Sequence, residues 1–327
     1  MRRALIVGID DYAGAPLTGC VRDATTVAAT LESNGDGSPN FDIRVLTSDQ
    51  VKVTQDRLEA AVDELFAAEA EVALFYFSGH GSIKKTTGTL VTQDTGNGIY
   101  GLSMQELIQR ANAAHEKVRS IIIILDCCHA GAIGEAPSML AEEVSAVGKG
   151  VIVLSASHKE GYSVESGGQG LFTSIFLEGL RGSAADIRGN ITPAAVYSLV
   201  DQTLGSWDQR PIFKANVQAF VALRTVQPKV SLETLRSLVT WFKSETDVYP
   251  LDPQHEPDRE NVPEKFRGLP KDEEKERIFK QLQLCNRHGL VVPVDAEHMY
   301  YAAINSTGCR LSALGAHYRK LAELRRI

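Results

Sequence analysis

The chain has 327 residues, of which 43% are hydrophobic and 23% are charged, values typical of a globular protein with room for two domains. Its net charge of −7 argues against a protein that coats nucleic acid, and no apolar run approaches the ~20 residues of a membrane helix. Five cysteines, odd in number and including one adjacent pair, fit a reduced cytoplasmic protein better than a disulfide framework. Asp10 and Asp11 interrupt the apolar stretch at the N-terminus, so we predict a first strand there and not a signal peptide.

Apolar patterning predicts strands and helices in alternation along the first two thirds of the chain. Continuous apolar runs, typical of strands buried on both faces of a parallel sheet, predict strands at 4–9, 41–46, 72–77, 118–125 and 150–155. Apolar spacing and capping residues predict helices at 20–33, 55–69, 104–114, 171–181 and 193–205. Gly-rich hairpins are expected at 82–100 and 160–170, a long connection at 132–149 and a last strand around 217–223. The alternation predicts an α/β fold whose mainly parallel sheet is covered by helices on both faces.

Two of the predicted strands end in residues that can act as a nucleophile and a base. The strand at 118–125 runs into Asp-Cys-Cys-His-Ala-Gly at 126–131, and the strand at 72–77 runs into Ser-Gly-His-Gly at 78–81. Open α/β sheets bind their ligands at the carboxyl ends of the strands. A cysteine is a good nucleophile only as the thiolate, which a nearby histidine produces by taking the thiol proton. The sequence therefore predicts a Cys-His site at this edge of the sheet.

The two motifs, their order and their spacing resemble the metacaspase and prokaryotic caspase-like branch of the caspase superfamily. His80 precedes Cys128 by 48 residues, close to the ~50 of caspases, although the caspase pattern Q-A-C-x-G is absent. The resemblance implies a caspase-like fold over residues 1–226. It also implies the activity of a cysteine endopeptidase that acts on protein or peptide substrates.

The resemblance further implies a role for each residue of the pair. Cys128, the second residue after the aspartate of its motif, is the nucleophile, and His80 takes its proton and later protonates the leaving amine. The backbone N–H groups of Gly81 and Cys128 are the expected donors to the oxyanion, and Gly81 has no side chain to block the substrate carbonyl. Cys127 then packs as a small hydrophobic residue. His129 is the poorer base, because adjacent strand residues point to opposite faces of the sheet.

A metal site is the competing interpretation of the same motifs. The adjacent cysteines, His129 and His80 are all metal-ligating residue types, but the chain lacks the C-x-x-C or H-x-x-x-H pairs of structural zinc sites. We therefore expect no metal and no cofactor. Some metacaspases need calcium, and although the chain has no D-x-D-x-D-G loop, calcium activation stays an open alternative.

The preferred substrate residue is also implied by the resemblance. Metacaspases cut after Arg or Lys, and the residues of their acidic pocket correspond in this sequence to Cys20, Asp23, Ser78 and Asp126. Two carboxylates form a charge-assisted fork that suits a guanidinium group. We therefore expect cleavage after Arg, with Lys second.

Three further residues bear on the predicted site, one as an alternative and two as candidates for the substrate groove. Arg22, next to Asp23, is the alternative determinant of specificity, since a cation would suit an acidic substrate residue. Ser155 and Ser157, at the end of the predicted strand 150–155, are expected to line the substrate groove. The choice between an acidic and a basic pocket therefore depends on whether Asp23 or Arg22 faces the substrate.

Residues 231–327 have a different character and follow a linker at 226–231. Helices are expected there at 231–243, 272–287 and 312–325, strands at 290–294 and 297–304, and an irregular arm at 247–271. A helix, a hairpin and a C-terminal helix resemble a winged-helix module. Residues 228–327 carry 16 Lys and Arg against 15 Asp and Glu, whereas DNA readers carry a distinctly basic face. We therefore predict a smaller, mostly helical module that binds a regulatory protein partner, with nucleic acid as the alternative ligand.

Three functions are compatible with these features. The first is a regulated cysteine endopeptidase, and prokaryotic caspase-like proteins with appended modules are often linked to defence or programmed cell death, which is an argument by analogy. The second is a catalytically silent caspase-like scaffold, against which the intact pair of Cys128 and His80 argues. The third is a DNA-binding regulator that acts through residues 231–327. We predict the first of these, with no membrane association.

Overall fold

The computed structural model describes the chain except for residues 85–86, 97, 99, 128–146, 157–164, 167–168, 205–210, 259 and 261. The described chain divides into two compact units. Met1–Ala185 and Gly189–Gln227 form the first unit, and Asp186–Arg188 and Pro228–Ile327 form the second. No described helix combines the length and the apolar composition that a membrane crossing requires.

The first unit is built from strands and helices in alternation. Its strands are β1 (Arg2–Gly8), β2 (Asp42–Thr47), β3 (Ala70–Ser78), β4 (Gly81–Lys84), β5 (Thr87–Leu90), β6 (Leu102–Ser103), β7 (Val118–Asp126), β8 (Val151–Ser155), β9 (Glu165–Ser166), β10 (Gln169–Gly170), β11 (Asn190–Ile191), β12 (Ile212–Ala215) and β13 (Arg224–Thr225). Its helices are α1 (Cys20–Leu31), α2 (Gln55–Ala67), α3 (Met104–Ala113), α4 (Leu171–Glu178) and α5 (Pro193–Thr203).

Six of these strands form the central sheet, in the order β12-β8-β7-β3-β1-β2. Every pairing among β1, β2, β3, β7 and β8 is parallel, and the edge strand β12 runs antiparallel to β8. Ile121 and Ile123 of β7 pack in a core with α2 and α3, whereas Ile122 and Ile124 pack in a second core with α1, α4 and α5. The predicted α/β fold, with a mainly parallel sheet and helices on both faces, is confirmed.

Local sequence signals account for several boundaries of the first unit. The hydroxyl groups of Thr54 and Ser103 accept the N–H of the residue three positions on, so both residues cap the helices predicted to follow them. Both Gly-rich segments contain antiparallel pairs, β4 with β5 and β9 with β10. The connection predicted at 132–149 lies outside the described residues except for 147–149.

The last strand of the sheet is not where the sequence analysis put it. The prediction of a strand around 217–223 is wrong, and β12 lies a few residues earlier and pairs with β8 from Ile212–Ser155 to Ala215–Ile152. Because β12 takes the open edge of β8, that edge is not available to the residues that follow β12. Val221 and Leu223 are instead buried against one face of the sheet, and Phe220 is 70% exposed.

The second unit combines helices with a small antiparallel sheet. Its elements are α6 (Leu232–Trp241), β14 (Val248–Tyr249), α7 (Glu264–Arg267), α8 (Glu273–Arg287), β15 (Val291–Pro293), α9 (Met299–Ile304), β16 (Cys309–Leu311) and α10 (Ala313–Glu323). The three strands pair in the order β14-β16-β15. The unit has a hydrophobic core of its own, to which Phe242, Phe279 and Leu282 contribute. The predicted irregular arm at 247–271 contains β14 and α7.

One predicted strand of the second unit is a helix. The prediction of a strand at 297–304 is wrong, because Met299, Ala302 and Ala303 are buried at the spacing of a helix face in α9. The second strand of the predicted hairpin is β16, which follows Gly308 at a positive φ of 146°. A Cβ atom on Gly308 would lie 2.6 Å from the carbonyl oxygen of Tyr249, so glycine lets β16 approach β14. The winged-helix resemblance stays a prediction.

Candidate active site

The carboxyl ends of three parallel strands bring the predicted motifs together. The register pairs Gly8 of β1 with Ser78 of β3, and Ser78 with Asp126 of β7. The N–H of Gly79 also donates to the carbonyl oxygen of Asp126, at an N–O distance of 3.3 Å. The chain therefore leaves β7, two residues before Cys128, beside the Ser-Gly-His-Gly motif.

Three residues of the sequence analysis lie outside the described part of the chain: Cys128, His129 and Ser157. Cys127 is described and is 3% exposed. It packs in the hydrophobic core that β7 shares with α2 and α3. This is the placement expected of a small hydrophobic residue.

His80 is held in one tautomer by the loop that follows β1. Its Nε2 atom lies 2.7 Å from the carbonyl oxygen of Ala15. A carbonyl oxygen can only accept, so Nε2 carries the hydrogen of the neutral ring and Nδ1 has a free lone pair. The ring also contacts Tyr12, with 4.6 Å between the ring centroids. The ring of His80 is thus anchored through Nε2 and through its contact with Tyr12.

Tyr12 fixes the backbone that carries His80. Its hydroxyl accepts the N–H of His80 at 3.0 Å and donates to the carbonyl oxygen of Val91 at 3.2 Å. Burial raises the pKa of Tyr12, so the phenol stays protonated. A Cβ atom on Gly79 would lie 2.5 Å from the Tyr12 hydroxyl, which explains why glycine precedes the histidine. Gly81, the predicted oxyanion donor, begins β4 and pairs with Leu90.

An aspartate at the end of the first strand fixes the helix that carries the predicted pocket residues. The carboxylate of Asp10 accepts the N–H groups of Cys20 and Val21, at 2.8 and 3.1 Å. These are N–H groups of the first turn of α1, which have no partner within the helix. A carboxylate there also interacts favourably with the helix dipole. The cap holds the start of α1 against the carboxyl end of β1.

Asp23 and Asp126 form a pair of carboxylates around the junction of β10 and α4. Asp23 is 2% exposed, and its Oδ2 accepts the N–H of Gly170 at 3.3 Å. The Oδ2 of Asp126 accepts the hydroxyl of Thr173 at 2.6 Å. A Cβ atom on Gly170 would lie 2.8 Å from Oδ2 of Asp126 and 3.5 Å from Oδ2 of Asp23, so this glycine lies between the two carboxylates.

The electrostatics of this pair disfavour two negative charges in the absence of a cation. Burial, and then the charge of Asp126, raise the pKa of Asp23 to about 7. The Oδ1 atom of Asp23 is buried and has no hydrogen-bond partner among the described residues. A buried carboxylate oxygen without a donor is costly, and a bound cation would remove that cost.

The other two predicted pocket residues lie next to each other. Ser78 is 2% exposed and hydrogen-bonds to the thiol of Cys20, whose pKa is raised chiefly by burial. Cys20 is therefore a protonated thiol that contributes shape and polarity, not a nucleophile. The structure thus brings Cys20, Asp23, Ser78 and Asp126 to one end of the sheet.

Two further predicted residues, Arg22 and Ser155, are placed differently from the acid pair, which is the pair of carboxylates of Asp23 and Asp126. Arg22 is exposed, whereas its neighbour Asp23 is buried. Ser155 is fully buried, its hydroxyl has no hydrogen-bond partner among the described residues, and it shares the strand face of Val153 in the core with α2 and α3. Asp126 is on the other face, because it shares the parity of Ile124. Ser155 and the acid pair therefore lie on opposite faces of the sheet.

Sequence reasoning missed five contributors to this site, which are Asp10, Tyr12, Ala15, Gly170 and Thr173. Each acts through a contact across the fold, and Tyr12 and Ala15 belong to a loop that patterning leaves unassigned. Within the described residues, no group of three or more His, Cys, Asp and Glu side chains is arranged to hold a metal ion.

The site lies on a fold that a family comparison identifies. The sequence model of the caspase domain matches residues 1–220, so the chain belongs to the caspase domain family. That family comprises cysteine peptidases, and the first unit therefore has the fold of a cysteine peptidase. A comparison with curated proteins finds no match.

Solved structures of similar fold include bacterial and insect proteins. Protein GSU0716 from Geobacter sulfurreducens is 14% identical, with a TM-score of 0.49 over 70% of this chain and 98% of that one. Caspase-1 from Spodoptera frugiperda is 13% identical, with a TM-score of 0.49 over 69% of this chain and 91% of that one. The structure of pro-sf-caspase-1 is 12% identical, with a TM-score of 0.46 over 69% and 92%.

Proposed function

We propose that the protein is a cysteine endopeptidase that uses Cys128 and His80 and cleaves after Arg, with Lys second. The observation that carries this proposal is the pairing of the buried Asp23 with the partly buried Asp126 at the end of the strand that leads to Cys128. A pair of acids with one unpartnered oxygen among the described residues suits a cationic substrate side chain. The tautomer of His80 favours the same reaction, because Nδ1 is the atom left to act as the base.

The proposed chemistry is acyl transfer through a thioester. His80 Nδ1 takes the thiol proton of Cys128, and the thiolate attacks the carbonyl carbon of the Arg residue. The N–H groups of Gly81 and Cys128 stabilise the oxyanion. The C–N bond breaks as the imidazolium gives its proton to the leaving amine. Water then attacks the thioester while His80 takes one proton of that water, the C–S bond breaks, and His80 gives the proton to the sulfur of Cys128. The carboxylic acid product leaves and the thiol is regenerated.

The other cysteines that can be assessed are poor nucleophiles, which supports the choice of Cys128. Burial raises the pKa of Cys20, and it raises the pKa of Cys285 and of Cys309 to about 12. These thiols stay protonated at neutral pH. Cys285 and Cys309 also lie in the hydrophobic core of the second unit.

The biological setting belongs to the same proposal. We propose a cytoplasmic effector that is regulated in a bacterial defence or cell-death pathway, with residues 231–327 binding a regulatory protein. The separate hydrophobic core of the second unit supports its treatment as a distinct module. No cofactor is required by the proposed reaction, and calcium enters only as a candidate activator.

The test is hydrolysis of fluorogenic peptides that end in Arg, Lys or Asp, by the wild-type protein and by Cys128→Ala, with and without calcium. The proposal predicts cleavage after Arg, weaker cleavage after Lys and none by Cys128→Ala. Cleavage after Asp would favour Arg22 over the acid pair as the specificity determinant. Peptide binding without any cleavage by the wild-type protein would favour the scaffold alternative and contradict the proposal.

A further inference from the structure

A chain of buried hydroxyl groups leads from the middle of the sheet to the acid pair. The hydroxyl of Tyr76 in β3 lies 2.6 Å from the Oγ1 of Thr173 in α4. Oγ1 of Thr173 in turn lies 2.6 Å from Oδ2 of Asp126. Tyr76 and Thr173 are both fully buried. The hydroxyl groups of Tyr76 and Thr173, called the relay below, therefore contact the acid pair of Asp23 and Asp126 from the protein interior.

The direction of the two hydrogen bonds is fixed by chemistry. An ionised carboxylate can only accept, so Thr173 donates its single hydroxyl hydrogen to Asp126. The Thr173 oxygen is then left to accept from Tyr76. Burial, and then the charges of Asp126 and Asp23, raise the pKa of Tyr76 well above its ordinary value. The tyrosine therefore keeps its hydrogen and holds the Thr173 hydroxyl in the donating orientation.

One junction of the chain holds both carboxylates. Gly170 is the N-cap of α4 and donates its N–H to Asp23, while Thr173 lies in the first turn of the same helix and donates to Asp126. Each carboxylate is thus held through Oδ2. The Oδ1 atom of Asp23 has no partner among the described residues, although Asp23 is 2% exposed. That unsatisfied oxygen is a separate indication that a cationic ligand completes the pair.

We propose that Thr173, supported by Tyr76, is the positioning residue that sets the preference for Arg over Lys, an inference that rests on the proposed function. A guanidinium binds through a planar fork of N–H groups, so it needs a carboxylate in a fixed orientation. The ammonium group of Lys is a compact charge with rotatable donors and tolerates a carboxylate that turns. Loss of the relay therefore weakens the binding of Arg more than the binding of Lys.

The test compares Thr173→Val, Thr173→Ser and the wild-type protein on matched Arg and Lys peptides. Thr173→Val keeps the shape of the side chain and removes the donor to Asp126. We expect KM for the Arg peptide to rise about tenfold, KM for the Lys peptide about threefold or less and kcat less than about twofold, because a hydrogen bond to a charged group is lost. Thr173→Ser keeps the donor and should restore the ratio of Arg to Lys cleavage.

A second buried threonine provides a matched control. Thr92 is 1% exposed and its hydroxyl donates to Oδ1 of Asp94 at 2.7 Å, outside the site. Thr92→Val removes the same kind of hydrogen bond and should leave the ratio of Arg to Lys cleavage unchanged. An equal ratio for Thr173→Val and the wild-type protein would overturn the inference. So would an equal change of the ratio in Thr92→Val.

Two further measurements keep the test decisive. If Thr173→Val fails to fold, Tyr76→Phe removes only the far donor of the relay, and it should lower the ratio of Arg to Lys cleavage about twofold. Anisotropy of a fluorescent Arg peptide on Cys128→Ala, with and without Thr173→Val, measures the pocket without turnover. Absence of binding by Cys128→Ala alone would contradict the proposed function, whereas equal binding by the single and double variants would contradict the role of Thr173.

Discussion

The two sides of the site hold their ionisable groups in opposite ways. On the base side, the ring of His80 donates to Ala15 at 2.7 Å and its backbone N–H donates to Tyr12 at 3.0 Å. On the acid side, Asp23 is 2% exposed, one of its oxygens has no partner among the described residues, and its pKa is raised to about 7. The ring and the backbone of His80 are thus both held by hydrogen bonds, whereas the buried carboxylate of Asp23 has one oxygen that no described residue satisfies.

The difference indicates where binding energy would be gained. A preorganised base needs no rearrangement when substrate arrives, so its contribution is to the chemical step. Asp23, whose pKa is raised, is unfavourable as an anion in the free protein and becomes favourable when a cation binds beside it. If this comparison is correct, changes on the acid side alter substrate choice and stability, and changes on the base side alter the rate of the chemical step.

Replacement of the buried acid should have the largest effect. In Asp23→Asn one of the two negative charges is lost, so we expect kcat/KM for the Arg peptide to fall about 100-fold, which matches the ~3 kcal/mol of a charged hydrogen bond. The rate of Cys128 alkylation by iodoacetamide should change little, because this small reagent does not use the pocket. Asp11→Asn, an exposed change outside the pocket, is the control. A parallel fall in both rates would mean that Asp23 supports the fold and not the pocket.

The same variant should be more stable than the wild-type protein at neutral pH. The pKa of Asp23 is about 7 in the folded protein, which is above its value in the unfolded chain. The contribution of this carboxyl group to the free energy of unfolding is therefore fully present below pH ~4 and is lost as the pH rises towards 7. Asn is neutral throughout. We expect the free energy of unfolding of Asp23→Asn to exceed that of the wild-type protein at pH 8 by on the order of 2 kcal/mol, with the difference shrinking towards pH 4.

Urea unfolding at several pH values measures this difference directly. A variant that is less stable than the wild-type protein at pH 8 would argue that the negative charge of Asp23 is already compensated in the free protein. Thermal unfolding at pH 8 should give the same sign.

Cleavage after Arg should depend on pH through the acid pair. Because Asp23 must be ionised to bind a cation, kcat/KM should rise with pH up to about 7 and then level, with about a tenfold gain between pH 6 and pH 8. In Asp23→Asn this rise of kcat/KM between pH 6 and pH 8 should disappear. The pH dependence of Cys128 alkylation by iodoacetamide should be the same in the variant and in the wild-type protein. An identical pH profile for both proteins would exclude Asp23 as the group that titrates.

On the base side, Tyr12→Phe should have the smallest effect. The variant keeps the ring contact with His80 and removes the hydroxyl that accepts the histidine N–H. We expect kcat to fall about fivefold with KM nearly unchanged. The hydrogen bond that holds the backbone of His80 is lost together with the one to Val91, and a neutral hydrogen bond contributes about 1 kcal/mol. A rise in KM with kcat unchanged would place Tyr12 on the substrate side instead.

Most of the fold could be predicted because buried strands and helices show in the sequence as runs or regular spacings of apolar residues. The apolar run before Asp126 and the one before Ser78 each end where a strand ends, and both motifs follow directly. The two errors have a common cause. Residues 217–223 and 297–304 carry apolar and aromatic residues that suit a strand, but sheet pairing and helical burial in the folded chain decided their structure.

The relay could not be predicted because its contacts are long-range. Thr173 lies 47 residues from Asp126 and 97 residues from Tyr76 in sequence. In the segment LFTSIFLE it is one of three polar residues on a largely buried helix, and nothing in that segment indicates its partner. Only the packing of α4 across β3 and β7 turns that residue into a donor to a carboxylate.

The proposed function depends above all on Cys128 as the nucleophile of a peptidase that cuts after Arg. The most direct measurement is the initial rate of Arg-peptide hydrolysis by the wild-type protein, Cys128→Ala and the neighbouring control Cys127→Ala, each shown to be folded by circular dichroism. We expect Cys128→Ala to lose all cleavage above background and Cys127→Ala to keep it. Full activity of Cys128→Ala, or loss of activity only in Cys127→Ala, would exclude Cys128 as the nucleophile.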